Sequence, residues 1–162
     1  MIANHLYGPS YVSFEMALAF YGLIPERRFV VRSATFKRTK WFENDVGNFE
    51  YITVPQDYYS IGISQHTVNN EYTYLLATPE KALCDLISAI PDLHLQSVKE
   101  MQIFLEEDLR IDFSVLPRVD IEIIRKCVEL GKNKGMLGLL LKFFSTRMTV
   151  MEKKNKHEQP GF

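Results

Sequence analysis

Two spacings of apolar positions occur in two successive parts of the chain, and each predicts a different kind of element. Between residues 28 and 77, short apolar runs alternate with polar residues, as is typical of strands. From residue 79 onward, apolar residues recur every three or four positions, which favours amphipathic helices. This order predicts an α+β fold with a mostly antiparallel or mixed sheet of about four to five strands, flanked by helices and followed by a helical C-terminal part.

Four segments carry the strand pattern and are bounded by turn-forming residues. Gly62 lies inside the third of them, where a glycine indicates a bulge or a close approach of backbone. Asn69 and Asn70 predict a turn before the fourth. The predicted strands are residues 29–34, 47–54, 59–64 and 72–77.

The clearest helix is predicted directly after the last strand. Thr78 is the expected N-cap and Pro79 suits the first helical position. Leu83, Leu86, Ile87 and Ile90 form its buried stripe in our interpretation. Lys81 and Asp85 fall on another side, and their i,i+4 spacing predicts a surface ion pair rather than a catalytic pair.

The remaining helices are predicted from apolar stripes and capping residues. Ser13 is the expected N-cap of a helix that ends near Gly22, and Ser97 with Glu100 predicts a capping box. The other segments are 119–130 and 135–148. The length favours one domain over residues 1–150, and the polar composition of residues 151–162 predicts a disordered tail.

Charge is balanced over the whole chain but not within it. The net charge of -1 gives no general attraction to nucleic acid or membranes. One basic segment stands out, and Trp41 and Phe42 follow it. We predict a partner-binding surface there, or else side chains that pair with acids in residues 43–50 and act only within the fold. The predicted binding residues are Arg27, Arg28, Arg32, Lys37, Arg38 and Lys40.

No recognisable motif for catalysis or cofactor binding accompanies this surface. Cys84 and Cys127 are interpreted as core thiols rather than a disulfide. No metal or cofactor is expected, because the histidines lack metal-ligand spacing. The histidines are His5, His66, His94 and His157.

Phosphate-binding loops and nucleophile motifs are missing as well, so we expect a non-enzymatic protein. Without a recognisable signal or membrane segment, the expected location is cytoplasmic.

Three segments together resemble one protein family. They are YVSFEMALAFYGLIPE at residues 11–26, GNFEYITVP at 47–55 and YLLATPEKALCDLI at 74–87. Their order and spacing are similar to the C-terminal domain of the AbiEi family. These proteins are antitoxins and transcriptional regulators of bacterial type IV toxin–antitoxin systems, which act in abortive infection during phage defence. The resemblance covers about residues 9–90.

The resemblance implies an antitoxin-like regulatory domain that opposes a nucleotidyltransferase-like toxin or takes part in transcriptional regulation. Family members usually carry an N-terminal winged helix-turn-helix, which we expect to be missing here. DNA binding is therefore expected only through a separate module. The alternative is a nuclease-like, nucleic-acid-processing enzyme of a defence system. Glu50 and Glu71 are predicted strand acids, but Ile52 and Thr73 stand where such a site would need lysine. The oligomeric state stays open.

Overall fold

Six strands form one mixed sheet in the computed structural model, which describes residues 2–25 and 30–157. Their order across the sheet is β3-β4-β2-β1-β6-β5. β1 pairs parallel with β6, and β2 pairs parallel with β4, whereas the other neighbours are antiparallel. The strands are β1 Ser10–Val12, β2 Val31–Thr35, β3 Lys40–Asn44, β4 Gly47–Thr53, β5 Ile63–Val68 and β6 Tyr72–Ala77.

Helices make up most of the rest, and the structure confirms the predicted α+β class. A π-helical turn, Phe104–Asp108, continues α5, and a short 3-10 helix, Phe113–Val115, precedes α6. The α-helices are α1 Ala3–Leu6, α2 Phe14–Phe20, α3 Gln56–Tyr59, α4 Pro79–Ala89, α5 Val98–Ile103, α6 Ile121–Leu130 and α7 Lys134–His157.

Two strands of the sheet were not expected from the sequence, so the predicted number was slightly low. β1 has only three residues, all buried, and is too short to show a period. β3 carries exposed Lys40, Trp41, Glu43 and Asn44, so it lacks the apolar alternation of a half-buried strand. The first predicted strand begins at Val31 in the structure, and Phe29 lies outside the described residues.

The strand predicted at residues 59–64 was wrong in its position. Residues 56–59 form α3 instead, in which the Tyr58 and Tyr59 amides donate to the Pro55 carbonyl oxygen at 3.1 and 3.0 Å. β5 starts only at Ile63, after Gly62 has turned the chain with a φ of +59°. The predicted close backbone approach at Gly62 is confirmed. A Cβ there would lie 2.9 Å from both Ile123 Cγ2 and Lys81 Cβ.

The N-caps predicted for α4 and α5 are confirmed, but the return bond of the predicted capping box is not, since Glu100 Oε2 accepts from the Gln96 amide instead of Ser97. The Lys81 amide donates to Thr78 Oγ1 at 3.4 Å, and Pro79 occupies the first turn of α4. The Glu100 amide donates to Ser97 Oγ at 3.2 Å at the start of α5. Each of these contacts satisfies one of the amides that a helix leaves unpaired at its N-terminus.

One continuous cluster of buried apolar side chains joins the sheet to the helices. It contains Tyr11 of β1, Tyr51 of β4 and Leu83 of α4, and it extends to Ile124 of α6 and Phe144 of α7. Each fully buried side chain of this kind contributes about 1.5 to 3 kcal/mol relative to an exposed one. The helical C-terminal part therefore shares its core with the sheet.

α7 continues beyond the segment in which a helix was predicted. It runs to His157, so the first part of the predicted disordered tail is helical. Glycine and proline, the residues least compatible with a helix, do not occur between Thr149 and Gln159, so propensity does not stop the helix there. Among the described residues, even this longest helix lacks the continuous apolar length needed to cross a membrane.

The Thr78 cap can be tested by mutation. Thr78→Ala removes the acceptor for the Lys81 amide, and we expect a loss of about 0.5 to 2 kcal/mol in the free energy of unfolding. Urea unfolding followed by circular dichroism measures it. The control is Thr146→Ala on the exposed side of α7, which removes a threonine without a cap. Equal midpoints for Thr78→Ala and wild type would show that the cap contributes nothing.

Gly62 provides a second test, of close packing. Gly62→Ala adds a Cβ that collides with α4 and α6 at a left-handed backbone position, and we expect a cost of about 2 to 5 kcal/mol. Gly22 is the matched control, since its φ is +73° and nothing lies within 4 Å of a Cβ placed there. Gly22→Ala should therefore show only the backbone cost, and equal thermal stability of the two variants would contradict the role given to the packing.

Candidate functional site

The predicted binding residues do not form one surface in the structure. Arg27 and Arg28 lie outside the described residues. Arg32 belongs to β2, where it pairs with Glu50 of β4, whereas Lys40 of β3 pairs with Tyr51. Successive residues of a strand point to opposite faces of the sheet. Arg32 and Lys40 therefore lie on opposite faces.

Arg32 is held within the fold by two carboxylates. Its Nε donates to Glu50 Oε2 at 2.8 Å, and its Nη1 lies 3.1 Å from Glu15 Oε2. The guanidinium also lies over the Phe14 ring, 4.8 Å from the centroid. For this residue, the structure favours the second of the two sequence interpretations, in which the basic side chain pairs with a nearby acid.

Two of the other predicted cations, Lys37 and Lys40, lie beside an aromatic ring that sequence analysis did not single out. The Tyr7 hydroxyl donates to the Arg38 carbonyl oxygen at 3.2 Å. Lys37 Nζ and Lys40 Nζ lie 5.5 and 5.1 Å from the centre of the Tyr7 ring. Lys40 Nζ also lies 4.7 Å from the centre of the Phe42 ring. We call Tyr7, Lys37, Arg38, Lys40 and Phe42 the Tyr7 cluster.

The Tyr7 cluster is anchored on its inner side and open on its outer side. Tyr7 packs edge-on against the buried Tyr51 ring, with 5.2 Å between centroids. Lys37, Arg38 and Lys40 are exposed. Lys37 Nζ donates to the Gly8 carbonyl oxygen, but an ammonium has three donors, so further contacts are open to it. The cluster can attract an anionic group and place it beside aromatic rings.

Tyr7 was missed for an identifiable reason. It lies in a stretch without a periodic pattern, and its partners Lys37 and Arg38 come about thirty positions later. The only local signal is an aromatic residue directly before the Gly8–Pro9 turn dipeptide. The contact depends on the sheet, which places the start of β1 beside the end of β2.

A second group of polar residues corrects the prediction made for α4. Lys81 and Asp85 are not on the surface, since their side chains are fully buried. Lys81 Nζ donates to the Tyr58 carbonyl oxygen at 2.7 Å and lies 3.8 Å from Asp85 Oδ1. It also lies over the Tyr58 ring, 3.1 Å from the centroid. α4 is covered on this side by α3 and β1, which the helical period alone did not indicate.

Asp85 is the acceptor at the centre of this group. Tyr58 donates its hydroxyl to Asp85 Oδ1 at 2.7 Å, and Ser13 donates to Oδ2 at 2.6 Å. The prediction of Ser13 as a side-chain cap was therefore wrong. Ser13 occupies the N-cap position of α2, but its hydroxyl turns toward Asp85, and Phe14 follows with a φ of +55°.

Burial dominates the electrostatics of this pair. It raises the pKa of Asp85, although the Lys81 ammonium and the hydroxyls of Ser13 and Tyr58 oppose the shift. Burial also lowers the pKa of Lys81, with Asp85 opposing. Both shifts favour the neutral forms, because a charge removed from water is costly. Lys81, Asp85, Ser13 and Tyr58 together are the buried polar network.

The buried polar network adjoins a cavity of about 50 Å³ lined partly by Asp85, Ser88 and Phe14. A cavity of this size accommodates a few water molecules rather than a nucleotide or a drug-sized ligand. Cys84 and Cys127 are buried and free, as expected for core thiols. The network is enclosed within the fold, whereas the cations of the Tyr7 cluster are exposed.

Comparisons of the chain with models of protein families, with curated proteins and with solved structures found no match.

The raised pKa of Asp85 predicts a specific pH dependence of stability. The contribution of Asp85 to the free energy of unfolding is fully present below pH 3.8, which is the pKa of the carboxyl group in the unfolded chain. This contribution is lost as pH rises through the higher pKa of Asp85 in the folded state. Asparagine does not titrate. As pH rises above 3.8, we therefore expect stability to shift in favour of Asp85→Asn relative to wild type.

Urea unfolding of both proteins at a series of pH values measures this shift. Asp57→Asn, at an exposed position of α3, controls for the loss of a carboxyl group away from the network. A raised pKa of Asp85 would be contradicted if the difference in the free energy of unfolding between wild type and Asp85→Asn stays constant with pH. It would also be contradicted if rising pH favours wild type over Asp85→Asn.

Proposed function

We propose that this chain is a non-enzymatic, antitoxin-like regulatory domain that opposes a nucleotidyltransferase-like toxin and uses the Tyr7 cluster as its binding surface. The observation that supports this proposal most is that exposed Lys37 and Lys40 lie beside two aromatic rings, with exposed Arg38 next to them in the chain. The resemblance of residues 9–90 to AbiEi antitoxins supplies the biological role. Regulation of transcription would come through a separate DNA-binding module.

The chemistry of the proposed partner fits this surface. A nucleotidyltransferase-like toxin holds magnesium through carboxylates, and we propose that this carboxylate-bearing region contacts the Tyr7 cluster. Exposed cations attract such a region and raise the rate of association. Arg32 contributes little to this attraction, since Glu15 and Glu50 offset its charge. Association should weaken as salt screens the exposed charges.

The aromatic rings add a short-range contribution. Tyr7 and Phe42 support the lysines through cation–π contacts, each worth about 0.5 to 1 kcal/mol at an exposed site. This holds the charges near one surface position instead of leaving them free to move in solvent. A partner then meets cations whose conformational freedom is already reduced.

The proposal predicts that charge reversal in the Tyr7 cluster abolishes neutralisation. We expect cells that express a nucleotidyltransferase-type toxin from the neighbouring reading frame to be protected by wild type. A triple variant, Lys37→Glu, Arg38→Glu and Lys40→Glu, should not protect, because the acidic partner is then repelled. Arg32 stays unchanged in this design, so that its ion pairs within the fold are kept. Cell growth and the amount of each protein are measured together.

A matched control carries Lys99→Glu, Lys134→Glu and Lys142→Glu, exposed positions on α5 and α7 with the same total change of charge. It should protect like wild type. Full protection by the Tyr7 cluster variant at equal protein level would place the binding surface elsewhere. Absence of protection by wild type itself would contradict the antitoxin function.

A further inference from the structure

The two cysteines of the chain are buried where α4 packs against α6. Cys84 belongs to α4 and Cys127 belongs to α6, and the side chain of neither is exposed to solvent. Both are free thiols in the structure. The proposed antitoxin function uses neither of them, so the chemistry available to this pair is a separate question.

Contacts near the start of both helices hold α4 and α6 side by side. The Asp120 amide, at the N-cap position of α6, donates to Glu80 Oε1 in the first turn of α4 at 2.9 Å. A Cβ placed at Gly62 would lie 2.9 Å from Lys81 Cβ and 2.9 Å from Ile123 Cγ2. The first turns of the two helices are therefore close neighbours.

Tyr58 connects the same two helices further along. Its hydroxyl donates to Asp85 Oδ1 in α4 at 2.7 Å. Its ring would lie 3.1 Å from a Cβ placed at Gly131, the residue directly after α6. Cys84 precedes Asp85, and Cys127 comes one helical turn before Gly131. The two thiols thus lie between contacts that join α4 and α6 on both sides of them.

The helical period places both thiols at this interface. Residues three or four positions apart share a helix face, so Cys84 lies on the face of Lys81 and Cys127 lies on the face of Ile123. Burial and the Cys127 thiol raise the pKa of Cys84. The Cys84 thiol and the Lys81 ammonium lower the pKa of Cys127, although burial opposes them. Cys127 is therefore the better nucleophile of two neighbouring thiols, because the thiolate is the reactive form.

We propose that Cys84 and Cys127 form a peroxide-oxidation site, at which hydrogen peroxide converts the two thiols into a disulfide between α4 and α6. The Cys127 sulfur attacks one peroxide oxygen, the O–O bond breaks, and water leaves with the thiol proton, which produces a sulfenic acid. The Cys84 sulfur then attacks the Cys127 sulfur. The S–S bond forms as the S–O bond breaks, and a second water leaves with the Cys84 proton.

Two electrons pass from the two sulfur atoms to one peroxide molecule, which is reduced to two water molecules. A disulfide requires its two Cα atoms to lie within about 7 Å of each other, a spacing that packed helices reach only where small side chains face each other. This inference does not depend on the antitoxin function, since neither cysteine belongs to the Tyr7 cluster and no second protein is needed.

A small oxidant has a path to the pair. The cavity of about 50 Å³ is lined by Tyr58 and Asp85, and both of these residues also affect the pKa of Cys127. The cavity has room for a few water molecules, and hydrogen peroxide is little larger than water. Glutathione disulfide is far larger than the cavity. The site should therefore distinguish oxidants by their size.

Mass spectrometry of the folded protein tests the disulfide. Reduced wild type is treated with hydrogen peroxide, which is then removed with catalase before the protein is unfolded in urea with iodoacetamide and digested. We expect one linked pair of peptides that contains Cys84 and Cys127 and that separates on treatment with dithiothreitol. Glutathione disulfide in place of peroxide should leave both thiols open to iodoacetamide.

The absence of a linked pair after peroxide treatment of the folded protein would overturn the proposal. A link that forms only when peroxide is added to protein already unfolded in urea would overturn it as well, because the native packing would then not bring the thiols together. Equal oxidation by glutathione disulfide would overturn the selection by size. These measurements use wild type alone, so they do not depend on the folding of a variant.

Single substitutions test the order of the two steps. In Cys84→Ser, the sulfenic acid of Cys127 has no second thiol to react with, so dimedone should trap it. In Cys127→Ser, the remaining Cys84 thiol has a raised pKa, and its labelling by dimedone should be about tenfold lower. Circular dichroism confirms that each variant is folded. Stronger labelling of Cys84 than of Cys127 would overturn the assignment of Cys127 as the attacking thiol.

Discussion

The packing around α4 is constrained by two ionisable side chains that are buried within the fold. Lys81 and Asp85 are fully buried, Lys81 donates to the Tyr58 carbonyl oxygen, and Asp85 accepts from the hydroxyls of Ser13 and Tyr58. These contacts join the β1–α2 junction, α3 and α4 at one place. A buried charge is tolerated only where its partners are held in position. The arrangement of those three segments is therefore constrained together, and Gly62 allows α4 and α6 to approach closely beside it.

Local chemistry made part of this structure predictable. The Thr78–Pro79 start of α4 and the strand before it were predicted correctly, because capping groups and alternation act within a few residues. The burial of Lys81 and Asp85 was not predicted from the sequence. Their i,i+4 spacing is the same on a surface and in a core, and only the elements packed against α4 distinguish the two.

The basic segment shows the same limit for the candidate site. Its density of charge is visible in the sequence, but the face on which each side chain lies is set by strand register. Arg32 and Lys40 lie on opposite faces of the sheet for this reason. Tyr7 contacts Lys40 only because β1 and β2 are neighbours in the sheet. The strand predicted from Tyr59 begins only at Ile63, because Tyr59 ends α3 and the turn at Gly62 comes before β5.

β1 lies between the two halves of the sheet although it is formed by residues 10–12. Its partner β6 ends at Ala77, and the Ser13–Asp85 hydrogen bond spans 72 positions. A nascent chain leaving the ribosome thus cannot pair β1 on both sides until β6 has emerged as well. Because the entropy of closing so long a loop is lost before the contact forms, this pairing is expected to be a late step of folding.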